Sequence, residues 1–400
     1  MPNRTTSSWA VVALCATVVV AEGYDLIVYG ALLPRLLTEP GWGLTAAGAG
    51  ELGSLVYVGM LVGGLLGGRL TDSYGRRSIV LASIGMFTVW TFACALAQSP
   101  WQLGLFRLLA GLGMGAVIPS ALALAKEYSP EGRTPLTVTI LMAGVPLGGT
   151  SASLLGLAVL PAYGWRPMFL IGGAISVLIL LVAVTRLPES DQFDGARAQR
   201  TRLAELFGRR FVLISVLFCL ASVLNLLTWY GMNTWLTTLM RELRYPLTSA
   251  LQFSMTLNIA AVAASFAFAA AARRWGARPM AVLCALLTAA GIFGVALGTS
   301  STLLLLVLIA LIGAGAHSAL NMVISSVADS YPVRLRGTAI GWANGMGRSG
   351  AVLAPALGGW VLSAGLGPRA VFYTFATTAL CAAVVVSVLV LAERRQEALV

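Results

Sequence analysis

Runs of about twenty apolar residues, the length that crosses a bilayer as a helix, recur along the chain with short polar breaks between them. They predict twelve helices, near 9–33, 48–68, 78–98, 101–126, 135–160, 166–186, 210–238, 248–270, 279–298, 301–328, 338–364 and 368–392. Only one polar break is long. It covers 187–209, opens Leu187-Pro188-Glu189-Ser190-Asp191 and carries Arg197, Arg200 and Arg202. It divides the chain into an N-terminal half (1–186), a central loop (187–209) and a C-terminal half (210–400), with six helices on each side. The expected fold class is an all-α membrane protein of twelve transmembrane helices in two six-helix halves.

Composition strengthens this picture. The 400 residues are 58% hydrophobic and 10% charged, whereas soluble domains average roughly 25% charged. Lys and Arg number 26 against 15 Asp and Glu, a net charge of +11. In a soluble chain that excess would raise nucleic-acid binding; here the basic residues lie in the short breaks. With both ends on one side, 19 of them fall on that side, 5 on the other and two, Arg107 and Arg348, inside spans. Basic loops stay in the cytoplasm, so both termini are expected there, with no nucleic-acid partner. Lys126 is the single lysine, a bias that fits a GC-rich bacterial genome and hence a bacterial inner membrane.

Five cysteines stand singly in apolar stretches, beside one histidine. Neither a disulfide framework nor a metal site is expected from that spacing, and no cofactor is implied. The first apolar run holds two acids and is long enough to span, unlike a cleaved signal. No Walker-type nucleotide loop is present, and no nucleophile–base set suggests an enzyme.

The two halves repeat. Gly111-Leu112-Gly113 leads to Tyr128-Ser129-Pro130 and Arg133, and about 202 residues later Gly313-Ala314-Gly315 leads to Tyr331-Pro332, Arg334 and Arg336. Gly75-Arg76-Arg77 has an echo in Gly276-Ala277-Arg278. Tandem six-helix halves place a substrate site between them, near the bilayer midplane, and alternate its access. This argues for a carrier over a channel or receptor.

Two strings carry a family resemblance. Gly68-Arg69-Leu70-Thr71-Asp72-Ser73-Tyr74-Gly75-Arg76-Arg77, after the second span, resembles the signature loop of the major facilitator superfamily. By that resemblance Asp72, Gly75 and Arg76, with Glu127 and Arg133 after the fourth span, are gating residues. In the first span, Glu22-Gly23-Tyr24-Asp25 is similar to the acid-Gly-x-Asp pattern of the aromatic acid:proton symporters, which usually have Asp where this chain has Glu22. Gly345-Met346-Gly347-Arg348-Ser349-Gly350, followed by Pro355-Ala356-Leu357-Gly358-Gly359, resembles that family's eleventh helix. The resemblance implies an importer of an aromatic carboxylate such as benzoate or a hydroxybenzoate, driven by protons; a monomer is expected. One string points elsewhere: Gly144-Val145-Pro146-Leu147-Gly148-Gly149 resembles part of a motif of proton-coupled efflux pumps, though small residues with Pro also serve close helix packing. A proton antiporter exporting drugs or organic anions is therefore the alternative.

A charge at the centre of a membrane helix costs about 2.5–3.5 kcal/mol on insertion scales, which makes such residues functional candidates. Glu22 and Asp25 are three apart and share one helical face; two acids so close resist ionising together, as a proton carrier requires. Asp25 lies about 12 Å, and Arg107 about 9 Å, below the outer ends of their predicted spans at 1.5 Å per residue. Matched depths predict that they pair, either to couple protons or to tie two helices together. Arg348 lies about 15 Å from the cytoplasmic end of its predicted span, where an Arg fork suits capture of a substrate carboxylate; a structural pairing with Glu22 or Asp25 is the competing assignment. His317 suits a proton relay, a neutral bond between helices or a polar contact to substrate equally well. Tyr29, Tyr57, Trp229, Tyr230, Asn233, Asn258, Asn321, Trp342 and Asn344 are candidates to line the cavity, since an aryl ring needs stacking surfaces.

Overall fold

The computed structural model describes residues 8–189, 203–208 and 211–397, of which 68, 69, 72, 328, 329, 333 and 393–397 are described by backbone alone. In the N-terminal part the helices are α1 (Ser8–Leu36), α2 (Ala46–Tyr74), α3 (Arg76–Ala95), α4 (Pro100–Met114), α5 (Val117–Glu127), α6 (Thr134–Tyr163) and α7 (Arg166–Arg186). After a 3-10 turn at Leu203–Phe207 follow α8 (Val212–Glu242), α9 (Leu247–Trp275), α10 (Ala277–Leu297), α11 (Thr302–Ser330), α12 (Val333–Ser363) and α13 (Gly367–Glu397). Most of the predicted central loop, including Arg197, Arg200 and Arg202, lies outside the described residues.

These thirteen helices make the twelve expected crossings, because α4 and α5 form one span, Pro100–Glu127. The interruption at 115–116 has a local cause. Pro119 has no N–H to give the Gly115 carbonyl, and its ring crowds that carbonyl, so the helix restarts with Pro119 in its first turn. Eleven described segments are long and apolar enough to cross a membrane; the remaining crossing, α12, is rich in glycine and carries Arg348 at its midpoint. Large apolar side chains such as Leu178, Leu181 and Leu391 are exposed on the outer helices, a face suited to lipid and costly in water.

The repeat seen in the sequence is also a repeat of packing. A Cβ on Gly111 would strike the Val56 backbone of α2, and one on Gly313 would strike Leu257 of α9. Gly113 closes in the same way on α3 at Ser83 and Phe87, and Gly315 on α10 at Cys284 and Thr288. The signature string is not a loop over its length: α2 continues to Tyr74, and the reversal is made at Gly75 alone, with φ 84° and ψ 157°. Gly276, between α9 and α10, has φ 85° and ψ 153°. A residue with a Cβ rarely takes up such a backbone, and the two glycines make the same turn at equivalent places.

An even number of crossings leaves both chain ends on one face, here called the terminal face. Towards the opposite face the two groups of helices are in close contact. Gly50 of α2 meets the Pro355 carbonyl of α12, Gly359 of α12 meets Ala46 of α2, and Gly30 of α1 meets Asn233 of α8, each too closely for a side chain. Hydrogen bonds cross the same seam: Ala47 N to Ser363 Oγ at 2.8 Å, Trp360 Nε1 to Glu51 at 3.1 Å, and Ser153 Oγ to Ser254 Oγ at 3.1 Å. Glu51 is thus a partner in this seal.

Towards the terminal face the helices part around a cavity of about 670 Å³, bounded by α2, the α4–α5 break, α5 and the first half of α12. Gly337, Gly341 and Gly345, one turn apart on α12, have open space where a Cβ would stand. The protein is therefore sealed on one face and open on the other.

Candidate functional site

The middle of α1 is enclosed on all sides, with every residue from 21 to 33 buried. In that surrounding a charge has to be compensated, and Asp25 is. Arg107 of α4 places Nη1 2.5 Å from the Asp25 carboxylate and 2.6 Å from its backbone carbonyl. Thr91 of α3 donates to the other carboxylate oxygen, and the guanidinium stands 5.5 Å from the centre of the Tyr29 ring. Both ion-pair partners are almost wholly buried, at 2% and 1% exposure.

Glu22, one turn away, is different. It is completely buried and neither carboxylate oxygen has a hydrogen-bond partner. The charges within its electrostatic reach are Arg348 and Asp25. Arg348 makes no ion pair or hydrogen bond among the described residues, so neither of the structural pairings proposed for it is present. It stands where the open cavity meets a narrower pocket, forming part of both walls with Asn344 and Ile118.

That inner pocket has room for about 80 Å³, less than the roughly 150 Å³ that accommodates a benzene. It is lined by both halves. Tyr57 of α2 packs against Tyr230 of α8 with ring centres 4.6 Å apart, and Trp229 packs against His317 of α11 at 5.0 Å. Asn321, Asn344 and Arg348 complete its polar wall, and Met60 and Met142 belong to its apolar one. Flexible methionines let such a wall yield to a ring.

Four of the predicted cavity residues do other work. Tyr29 donates to the Ala49 carbonyl at 2.6 Å. Asn233 bonds the Trp229 carbonyl and accepts from Asn258, each at 3.0 Å, and Asn258 also bonds Ser254. Trp342 donates to Ser215 at 3.3 Å and packs edge-on to Phe207. Apart from Asn258 Oδ1, which has no partner, their polar atoms bond helix backbones or each other, and all four lie outside the pocket lining.

The model of the Major Facilitator Superfamily matches residues 15–270 and 249–400. The chain belongs to this superfamily. Among the relatives of this facilitator is the gentisate transporter of Corynebacterium glutamicum, 39% identical, with 93% of this chain and 85% of the relative covered. The benzoate transport protein of Acinetobacter baylyi is 30% identical, over 97% of this chain and 90% of its own. Among solved structures, a D-xylose-proton symporter has the same fold, with a TM-score of 0.78 at 17% identity over 95% of this chain and 97% of that one.

In this facilitator the signature residues cluster on the terminal face. Arg76 Nη1 bonds Glu127 at 2.7 Å across α3 and α5. Arg77 holds the end of α7 through the Leu187 and Val184 carbonyls at 2.8 and 2.7 Å. A Cβ on Gly75 would come within 2.8 Å of Glu189. Arg133 is exposed just before α6, apart from these contacts, and the side chain of Asp72 lies outside the described residues.

Sequence reasoning missed Thr91, an ordinary hydroxyl in an apolar helix, and the pocket-lining Met60 and Met142. Nothing in their local sequence sets them apart; only packing brings them to the site.

Proposed function

We propose that this protein is a proton-coupled secondary transporter that imports an aromatic carboxylate across the bacterial inner membrane. Both termini are cytoplasmic, the protein acts as a monomer, and halves 1–186 and 210–400 rock about the site, joined by the loop 187–209. The observation that carries this reading is the free guanidinium of Arg348, at the mouth of an aromatic-lined pocket and within reach of the unpartnered carboxyl of Glu22. The gentisate and benzoate carried by its relatives are anions of the same chemical class.

The coupling follows from charge. An ionised Glu22 competes with a substrate carboxylate for the field of Arg348, and a protonated Glu22 does not. Proton and anion therefore favour each other's binding, reciprocally. Asp25 is committed to Arg107 and Thr91 and holds α1, α3 and α4 in register. Glu22 is accordingly the proton carrier, and Arg348 the substrate anchor through its planar fork. Export in exchange for protons is less well supported: in the Gly144–Gly149 string, Gly148 faces the backbone of α1 at Val20 and Tyr24, as close packing requires.

The test is uptake of radiolabelled benzoate and hydroxybenzoates into proteoliposomes under an imposed pH gradient, against protein-free liposomes. Accumulation above that control, collapsed by a protonophore, is expected. Proton-driven movement of a cationic dye in the opposite direction, with no acid accumulation, would put export in its place.

A further inference from the structure

His317 is buried, at 6% exposure, and lines the inner pocket with Arg348. Its ring faces the backbone of Met142 in α6, whose carbonyl has no helical donor because Pro146 lies four residues on. A helical backbone offers its carbonyl there, so the imidazole donates. A neutral imidazole has one donor nitrogen and one acceptor, which makes the remaining nitrogen, Nε2, an acceptor. Nε2 has no partner. A buried acceptor left without a donor is costly, and the Trp229 ring, 5.0 Å away, packs against the imidazole.

An ionised carboxylate has no proton to give, so the group that Arg348 attracts leaves Nε2 unanswered. The donor has to be elsewhere on the ligand. Resting on the aromatic-carboxylate reading, we propose that His317 Nε2 accepts a hydrogen bond from a hydroxyl on the substrate ring, so that a hydroxylated aromatic carboxylate is preferred over its unsubstituted parent. Arg348 takes the carboxylate, Trp229 and Tyr230 flank the ring, and His317 reads its substituent.

The experiment is equilibrium binding to purified protein of benzoate, 3- and 4-hydroxybenzoate, 2,5-dihydroxybenzoate and 3- and 4-methoxybenzoate. A methoxy group keeps the oxygen and removes the donor. Wild-type protein is expected to bind at least one hydroxylated acid about tenfold more tightly than benzoate and than its methoxy partner, the scale of one buried hydrogen bond. His317→Phe, which keeps an aromatic ring beside Trp229, is expected to lose that preference, binding the hydroxylated acid no more tightly than benzoate or its methoxy partner. His317→Gln, which keeps an acceptor, recovers part of it. Wild-type protein that binds benzoate and the hydroxylated acids equally, or a His317→Phe variant that keeps the preference, overturns the proposal and leaves aromatic-acid transport standing. Wild-type protein that binds none of the acids overturns the transport reading and this proposal with it. The wild-type series decides the matter even where a variant does not fold.

Discussion

Arg107 reaches Asp25 twice through one nitrogen, 2.5 Å from the carboxylate and 2.6 Å from the backbone carbonyl. Thr91 holds the second carboxylate oxygen, so three helices meet at one side chain. One turn away, Glu22 has neither oxygen engaged. Two acids on one helical face thus differ: one is a fastening and the other has both oxygens unengaged.

Breaking the fastening leaves an uncompensated buried cation. Asp25→Asn is expected to destabilise the protein by about 3–5 kcal/mol, seen as a lower thermal unfolding midpoint in detergent. Adding Arg107→Gln should restore part of that loss. A double mutant as unstable as the sum of its singles would show that the pair does not act as a unit.

Glu22→Gln imitates the protonated acid without breaking any contact. Thermal stability should stay near wild type. In proteoliposomes the variant should exchange labelled for unlabelled substrate across the membrane but fail to accumulate it under a pH gradient. Full uphill accumulation in Glu22→Gln would assign the proton elsewhere.

Arg348→Lys keeps the charge and loses the fork. Because Arg348 makes no ion pair among the described residues, the unfolding midpoint should not move. Apparent affinity for the carboxylate should fall about tenfold, or about 1.4 kcal/mol. Unchanged affinity would remove Arg348 as the anchor.

The bare stripe of Gly337, Gly341 and Gly345 faces the open cavity, whereas Gly50 and Gly359 lie against backbone in the closed seam. Closing the terminal face requires the stripe to pack as the seam now does. Gly341→Val should therefore fold and bind substrate but not transport it. Gly50→Ala should disfavour the present form, and a cysteine at 341 should then react more slowly with a membrane-impermeant maleimide applied from the terminal side. Equal labelling rates with and without Gly50→Ala would contradict this assignment of the two seams.

Much of the architecture was legible because it depends on properties of single segments. Apolar length alone specifies a crossing in lipid, where every backbone group has to be satisfied within its own helix. Hence the twelve spans, and the placing of Asp25, Arg107 and Arg348 inside them, could be read from the chain. The repeat was legible too, since Gly75 and Gly276 occupy turns that admit little else.

What a polar residue faces was not legible, because it depends on the rotation of each helix about its axis. Asn233 and Tyr230, on the same helix, look alike in the sequence, yet one ties α8 to α9 and the other lines the pocket. Glu22 and Asp25 differ only because Thr91 and Arg107 arrive from α3 and α4 at one of them. Those rotations are decided by close glycine contacts between distant segments, such as Gly148 against Tyr24 and Gly111 against Val56. The sequence by itself determined how many helices cross and which charges lie within them. The tertiary structure decided which charges are paired and which are free, because pairing requires neighbours that no single helix contains.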